Sequence, residues 1–172
     1  VTRVAFSATG ELATTSFDGT ARIWTAEGYE RALLAGHDKE ILFAAFSAAG
    51  DRLITASADA HARVWRTRPP LAAARIKTTN DWISWVAFAP AAPLAATASW
   101  GGTVELWDIT TGAVVAGLRC RKRVNGAAFS HDGASLAAAL ADGSVAIWDL
   151  ARRVERARFA CHSDEVSAVA FS

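Results

Sequence analysis

The sequence predicts an all-β repeat protein, and three observations carry that prediction. A phrase with Ala-Phe at its centre recurs five times, as Val4–Ser7, Ala44–Ser47, Val86–Ala89, Ala127–Ser130 and Val169–Ser172, its Phe residues 40, 42, 41 and 42 apart. A second phrase ends on Trp24, Trp65, Trp107 and Trp148, spaced 41, 42 and 41. Turn signals punctuate every unit, and no stretch reads as a helix.

Each unit justifies four strands in order. The Phe phrase is the first strand, closed in three units by a Gly four residues on (Gly10, Gly50, Gly133), with Ala92 as the exception. An Ala/Thr/Ser-rich strand such as Leu53–Ser57 follows, then a tight turn at Asp18-Gly19 or Asp142-Gly143, then the alternating strand that ends in Trp. A looser turn (Glu27-Gly28, Pro69-Pro70, Thr111-Gly112) leads to a fourth strand such as Arg31–Ala35. Four strands per ~41 residues make one blade of a β-propeller. The expected units run about 1–35, 36–77, 78–118 and 119–160, with 161–172 partial.

Composition narrows the function classes. The 172 residues are 52% hydrophobic and 20% charged, with 18 basic against 17 acidic residues and a net charge of +1. That balance disfavours disorder and general nucleic-acid binding. No apolar run approaches the ~18 residues of a membrane span, and no signal peptide is visible. The chain lacks Met and opens on Val1 inside a strand phrase, so a segment of a longer protein is expected.

Gly36-His37, the Ser-x-Asp turns, Trp107-Asp108 and Trp148-Asp149 resemble the WD40 family, and the resemblance covers essentially the whole chain. Phrases such as Ala21–Trp24 and Ala62–Trp65, with Lys nearly absent, look similar to bacterial arrays of that family. The resemblance implies a buried chain of turn Asp, loop His, strand hydroxyl and strand Trp. Carried over, the complete set is His37, Ser57, Asp59 and Trp65. Partial sets are Ser16, Asp18 and Trp24 in the first unit, Ser99 and Trp107 in the third, and Asp142 and Trp148 in the fourth. Thr79 stands in the third unit's His slot, while Cys120 and Leu140 replace His and Ser in the fourth. A His, Ser and Asp in one blade could suggest a hydrolase triad; a chain that ends on Trp and recurs in degraded form reads instead as a strut. The missing links predict weaker third and fourth blades.

Cys120 and Cys161 are 41 residues apart, one period, and fall in corresponding loops. Such positions lie too far apart for a disulfide, so free thiols are expected. No motif for metal, phosphate or nucleophilic catalysis is present, and neither cofactor nor metal is expected.

In the first strand of four units the apolar positions five and two before Phe are three apart, which predicts a bulge. The resemblance places partner contacts six and four before Phe and just ahead of the turn Asp. Here these include Glu40, Leu42, Trp82, Ser84, Arg123, Asn125, Glu165, Phe17 and Trp100. Trp82 and Trp100 are the sharpest of these, with packing over their own blade as the alternative; Trp85 is expected to be buried. From Arg119 to Arg158 eight Lys/Arg face four acidic residues, a net of +4, which reads either as an acidic-partner patch or as a solvated edge.

Together these readings describe four four-stranded blades plus the first strand of a fifth, an open arc of a seven-bladed ring, acting as a non-enzymatic cytoplasmic scaffold for protein partners. The open blade faces predict self-association. The alternative is the sensor or autoinhibitory region of a larger bacterial signalling enzyme, a Ser/Thr kinase or NTPase, whose catalytic residues lie elsewhere.

Overall fold

The computed structural model describes residues 1–68, 73–77, 81–90 and 92–172, with the backbone alone over 73–77. Pro69-Pro70 and Thr79 lie outside the described residues. Among these residues the fold is all-β, with sixteen strands and no helix.

The chain divides into two compact units, Val1–Phe88 and Ala89–Ser172. The first holds β1 (Arg3–Phe6), β2 (Leu12–Thr15), β3 (Thr20–Trp24), β4 (Glu30–Ala35), β5 (Ile41–Phe46), β6 (Arg52–Ser57), β7 (His61–Arg66), β8 (Ala73–Lys77) and β9 (Ile83–Phe88). The second holds β10 (Leu94–Ser99), β11 (Thr103–Asp108), β12 (Val114–Arg119), β13 (Val124–Phe129), β14 (Ser135–Leu140), β15 (Ser144–Asp149) and β16 (Val154–Ala160). Strand order gives four four-stranded meanders, β1-β2-β3-β4, β5-β6-β7-β8, β9-β10-β11-β12 and β13-β14-β15-β16, each one blade.

The second strand of a blade is where small residues matter. In β6, β10 and β14 five of six side chains are buried, on both faces, which explains an Ala/Thr/Ser-rich sequence where a half-buried strand would alternate. The third strand does alternate: in β3, Ala21 and Ile23 are buried while Thr20 and Arg22 are half-buried. In the first unit Ile23, Leu34, Ile41 and Leu53 join Ala13, Ala21, Ala32, Ala44 and Trp65 in one core. Burial of each large aliphatic contributes about 1.5–3 kcal/mol. Trp85 is buried, as the spacing predicts, and its ring lies 6.4 Å from Phe43.

Among the described ladders, the bulge read from the odd spacing is present in the second and fourth blades. The ladder slips between Ile41 and Phe43 and again between Val124 and Gly126, so Leu42 and Asn125 are the extra residues. The turns that close the first strands place Gly10, Gly50 and Gly133 at positive φ, their N–H groups donating to the carbonyls of Ser7, Ser47 and Ser130.

The tight turn between second and third strands favours glycine. Gly102 has φ +79°, and a Cβ there would sit 2.7 Å from the Lys122 carbonyl oxygen. The second blade puts Ala60 at this place, with φ 62°, a left-handed conformation that an L side chain resists.

The last phrase, Ser167–Ser172, differs from its equivalents because it carries no ladder. In the other four phrases the partner is the strand that follows, and no strand follows within residues 1–172. The stretch just before it is tied by the Val166 N–H to the Leu140 carbonyl at 3.0 Å, and by the Cys161 and His162 N–H groups to the Gly143 carbonyl.

Candidate functional site

The buried polar chain of the second blade runs through Thr55. The Trp65 indole N–H donates to Thr55 Oγ1 at 2.9 Å. Thr55 Oγ1 lies 2.8 Å from His37 Nε2, and His37 Nδ1 lies 2.8 Å from Asp59 Oδ2. Asp59 also accepts the N–H groups of Asp38 and His61. Burial pushes the His37 imidazole below its ordinary value of 6.5, against the opposing pull of Asp59. Burial would raise the Asp59 carboxyl, but hydrogen bonds from His37 and the two backbone N–H groups outweigh it and hold it below 3.8. The pair is therefore a neutral imidazole donating to a carboxylate, and every donor in the chain has an acceptor.

Ser57 is thus corrected as the hydroxyl of this set. Thr55 is directly opposite Arg63, two residues from Trp65, so the indole reaches it diagonally on the same face. Ser57 is two residues further along β6, about 6.6 Å at the usual rise per residue. It braces the turn instead, accepting the Asp59 N–H at 3.1 Å and donating to the Lys39 carbonyl at 3.2 Å.

The same correction applies to the partial sets. Trp24 donates to Thr14 and Trp107 to Thr97, each at 2.9 Å, so Ser16 and Ser99 are not their acceptors. Ser16 accepts the Asp18 N–H, and Ser99 donates to the Thr103 carbonyl. Asp18 and Asp142 turn to the residues after them, Thr20 and Ser144. In the fourth blade the hydroxyl's place is Ala138, and the buried Trp148 indole N–H has no hydroxyl partner among the described residues, leaving the Cys120 thiol to interact with it. The legible signal was a Thr ten residues before three of the four strand-ending Trp residues, Trp24, Trp65 and Trp107. The third blade keeps its Thr97–Trp107 link, so of these links only the fourth lacks its acceptor.

Cys120, in the loop place of His37, is fully buried, and burial raises its thiol to about 11 despite Arg158 nearby. Cys161 is exposed, and both thiols are free. With Thr55 fully buried between two rings, the His–Asp pair has no room for a substrate, which argues against a hydrolase triad.

The loop-face residues assemble unequally. In the second unit, Arg123 lies over the Trp100 ring at 5.0 Å, pairs with Glu165, and donates through Nε to Asn125 Oδ1 at 3.0 Å. Asn125 Nδ2 donates to Glu165 Oε2 at 3.2 Å and to the Val166 carbonyl at 3.0 Å. The bulge makes this possible by turning Asn125 out beside Arg123. Trp100 is 43% exposed above this network. In the first unit Phe17 is 72% and Trp82 42% exposed, while Glu40, Leu42 and Ser84 are half-buried. In the basic fourth blade, Arg123, Arg152 and Arg158 pair with Glu165, Asp149 and Glu155.

Comparison with known proteins agrees with this geometry. Residues 1–25, 28–66, 74–108 and 113–149 match the WD40 family (WD domain, G-beta repeat). The chain is 30% identical to Pre-mRNA-processing factor 19 homolog 2 of Arabidopsis thaliana over 94% of its own length and 32% of that protein's. It is 30% identical to a guanine nucleotide-binding protein subunit beta-like protein of Encephalitozoon cuniculi, over 58% of this chain and 31% of that protein. The Ribosome biogenesis protein WDR12 homolog of Ixodes scapularis is 34% identical over 63% of this chain and 26% of that protein. The chain thus spans about a third or less of the length of these relatives. With one family matched in all four blades, each match ending one residue past the third-strand Trp, the chain belongs to the WD40 repeat family.

Proposed function

We propose that this chain is a non-enzymatic scaffold that binds protein partners through loop residues of each unit, Phe17, Glu40, Leu42, Trp82 and Ser84 in the first and Trp100, Arg123, Asn125 and Glu165 in the second. The observation that carries the reading is the second unit's network. Arg123 is held by Asn125 and Glu165 while the ring it covers stays half open to solvent. A pre-ordered Trp and Arg at one spot is the usual make-up of an interface hot spot. Relatives named for pre-mRNA processing and ribosome biogenesis are consistent with assembly work. Among the described residues no helix is long and apolar enough to cross a membrane. The sensor region of a bacterial signalling enzyme draws no support from these relatives, which come from a plant, a microsporidian and a tick.

The test is quantitative co-purification of the full-length protein and its partners from its own cells, as wild type and as the Trp82→Ala/Trp100→Ala double variant. Loss of a specific partner with unchanged thermal unfolding is expected. Unchanged capture by a folded double variant would contradict the assignment.

A further inference from the structure

The second unit contains a cavity of about 410 Å³ at the end of the blades opposite Trp100, among the β9–β10 and β13–β14 turns and the segment after β15. Its walls include Leu94, Leu106, Val115, Phe129 and Leu150, with Asp132 and Arg153 at the rim. The first unit shows what this place holds when it is filled. There Arg31, the extra residue of the β3–β4 bulge, pairs with Glu11 and donates to the Thr67 carbonyl, laying a guanidinium between two blades.

Register identifies the equivalents of all three. Val115 is the extra residue of the β11–β12 bulge, as Arg31 is of its own. Glu11 bonds Ser7 as Leu94 bonds Ala89, and Thr67 bonds Asp51 as Leu150 bonds Ala134. Arg31, Glu11 and Thr67 therefore become Val115, Leu94 and Leu150, and each replacement lines the cavity. The internal plug has been exchanged for an apolar wall.

A second departure from the repeat converges on the same place. Gly28 and Gly112 turn the chain into the fourth strand with φ of 88° and 73°; the fourth blade uses Arg153 there, at φ 59°. A left-handed Arg is strained where its sister repeats use Gly, and such outliers gather at binding sites. Its guanidinium has no hydrogen bond or ion pair among the described residues. Asp132, ionised at the same rim, forms no ion pair with it among the described residues: its Oδ1 accepts from Ser130 Oγ at 2.6 Å and from the Ala134 N–H at 2.9 Å, which hold the carboxyl below its ordinary value.

An apolar cavity of this size, with a guanidinium at its mouth that is unpaired among the described residues, fits an apolar group next to an anion. The source is a polypeptide, because Val115 belongs to β12, the outer strand of its sheet, whose second edge offers backbone N–H and C=O groups to an added strand. Val114 beside it is 52% exposed and extends the apolar surface along that edge. We propose that this cavity docks an extended segment of a partner protein, which inserts one apolar side chain between the blades and sets a neighbouring Asp or Glu carboxylate on Arg153.

The experiment uses the full chain and acetylated hexapeptides carrying one Leu, Ile, Val or Phe flanked by Asp or Glu, with affinity followed by methyl NMR of Leu94, Leu106, Val115 and Leu150. Saturable shifts of these methyls are expected. Arg153→Gly restores the residue type of the sister repeats and should keep the fold while weakening binding about tenfold, the loss of one charge-assisted contact. Val115→Arg with Leu94→Glu, which rebuilds the plug, should abolish the shifts at Leu106 and Leu150. Peptides with Lys in place of the acidic residues should not bind. The proposal is overturned if no acidic peptide shifts the methyls, if Arg153→Gly binds as wild type, or if dodecanoate binds the cavity while every peptide fails. The loop-face variants Trp82→Ala and Trp100→Ala leave this readout unchanged, so the two surfaces succeed or fail separately.

Discussion

Thr55 decides whether the second blade's buried polar groups are satisfied. It accepts from Trp65 and lies within hydrogen-bond distance of His37, so Thr55→Ala strands an indole N–H and an imidazole nitrogen at once. The expected cost is about 2–4 kcal/mol, from two unsatisfied groups at ~1–3 each, less what relaxation recovers. Ser57→Ala removes only a turn brace and should cost about 1 kcal/mol. Denaturant melts of both variants check the order; equal losses would return Ser57 to the chain. Protonation gives a second prediction at this scale. His37 is held below 6.5 by burial, so under pH 6.5 the unfolded chain binds more protons than the folded one, and stability falls as acid is added from there. Asp59, held below 3.8, contributes fully above that value and is lost as pH falls below it. Denaturation midpoints read between pH 7.5 and pH 3 should therefore decline in these two windows, and His37→Gln should remove the first.

The elements follow from turns and bulges more than from strand propensity. Ala60 occupies a tight-turn place that Gly19, Gly102 and Gly143 fill elsewhere. Ala60→Gly should stabilise the chain by about 1 kcal/mol by relieving a left-handed Cβ. Gly102→Ala should destabilise by more, because its Cβ would press on the Lys122 carbonyl. Thermal unfolding of the two variants is the check, and opposite signs are the expected outcome. Much of this level could be read from the amino acids: the 41-residue period, the strand order, and the bulges at Leu42 and Asn125 all follow from spacing. What escaped was register. A two-residue offset along β6 separates Ser57 from Thr55, and the Ser-x-Asp turn drew attention to the wrong hydroxyl. The cavity escaped for the same reason, since Val115 corresponds to Arg31 only once each is seen as the extra residue in a ladder.

At the scale of the whole molecule, the blades are similar in plan and unequal in polar satisfaction. The second has a four-member hydrogen-bonded chain, the first and third a Trp–Thr pair, and the fourth a buried indole N–H with Ala138 where the others have Thr. Repeat proteins report such differences locally, since each blade packs on its neighbours only. Amide hydrogen exchange should find β6 and β7 better protected than β14 and β15, and the reverse order would contradict the hydrogen-bond account. The function proposed here depends on the loop face, where Arg123 is fixed over Trp100 by Asn125 and Glu165. Site-specific photo-crosslinking tests it most directly, with the crosslinking amino acid placed at Trp100 and, for comparison, at Tyr29 on the β3–β4 turn, in the full-length protein in its own cells. A single protein partner crosslinked from position 100, lost with Arg123→Ala and absent from position 29, is the predicted result. Equal crosslinking from both positions, or none from position 100, would contradict the loop face as the binding surface.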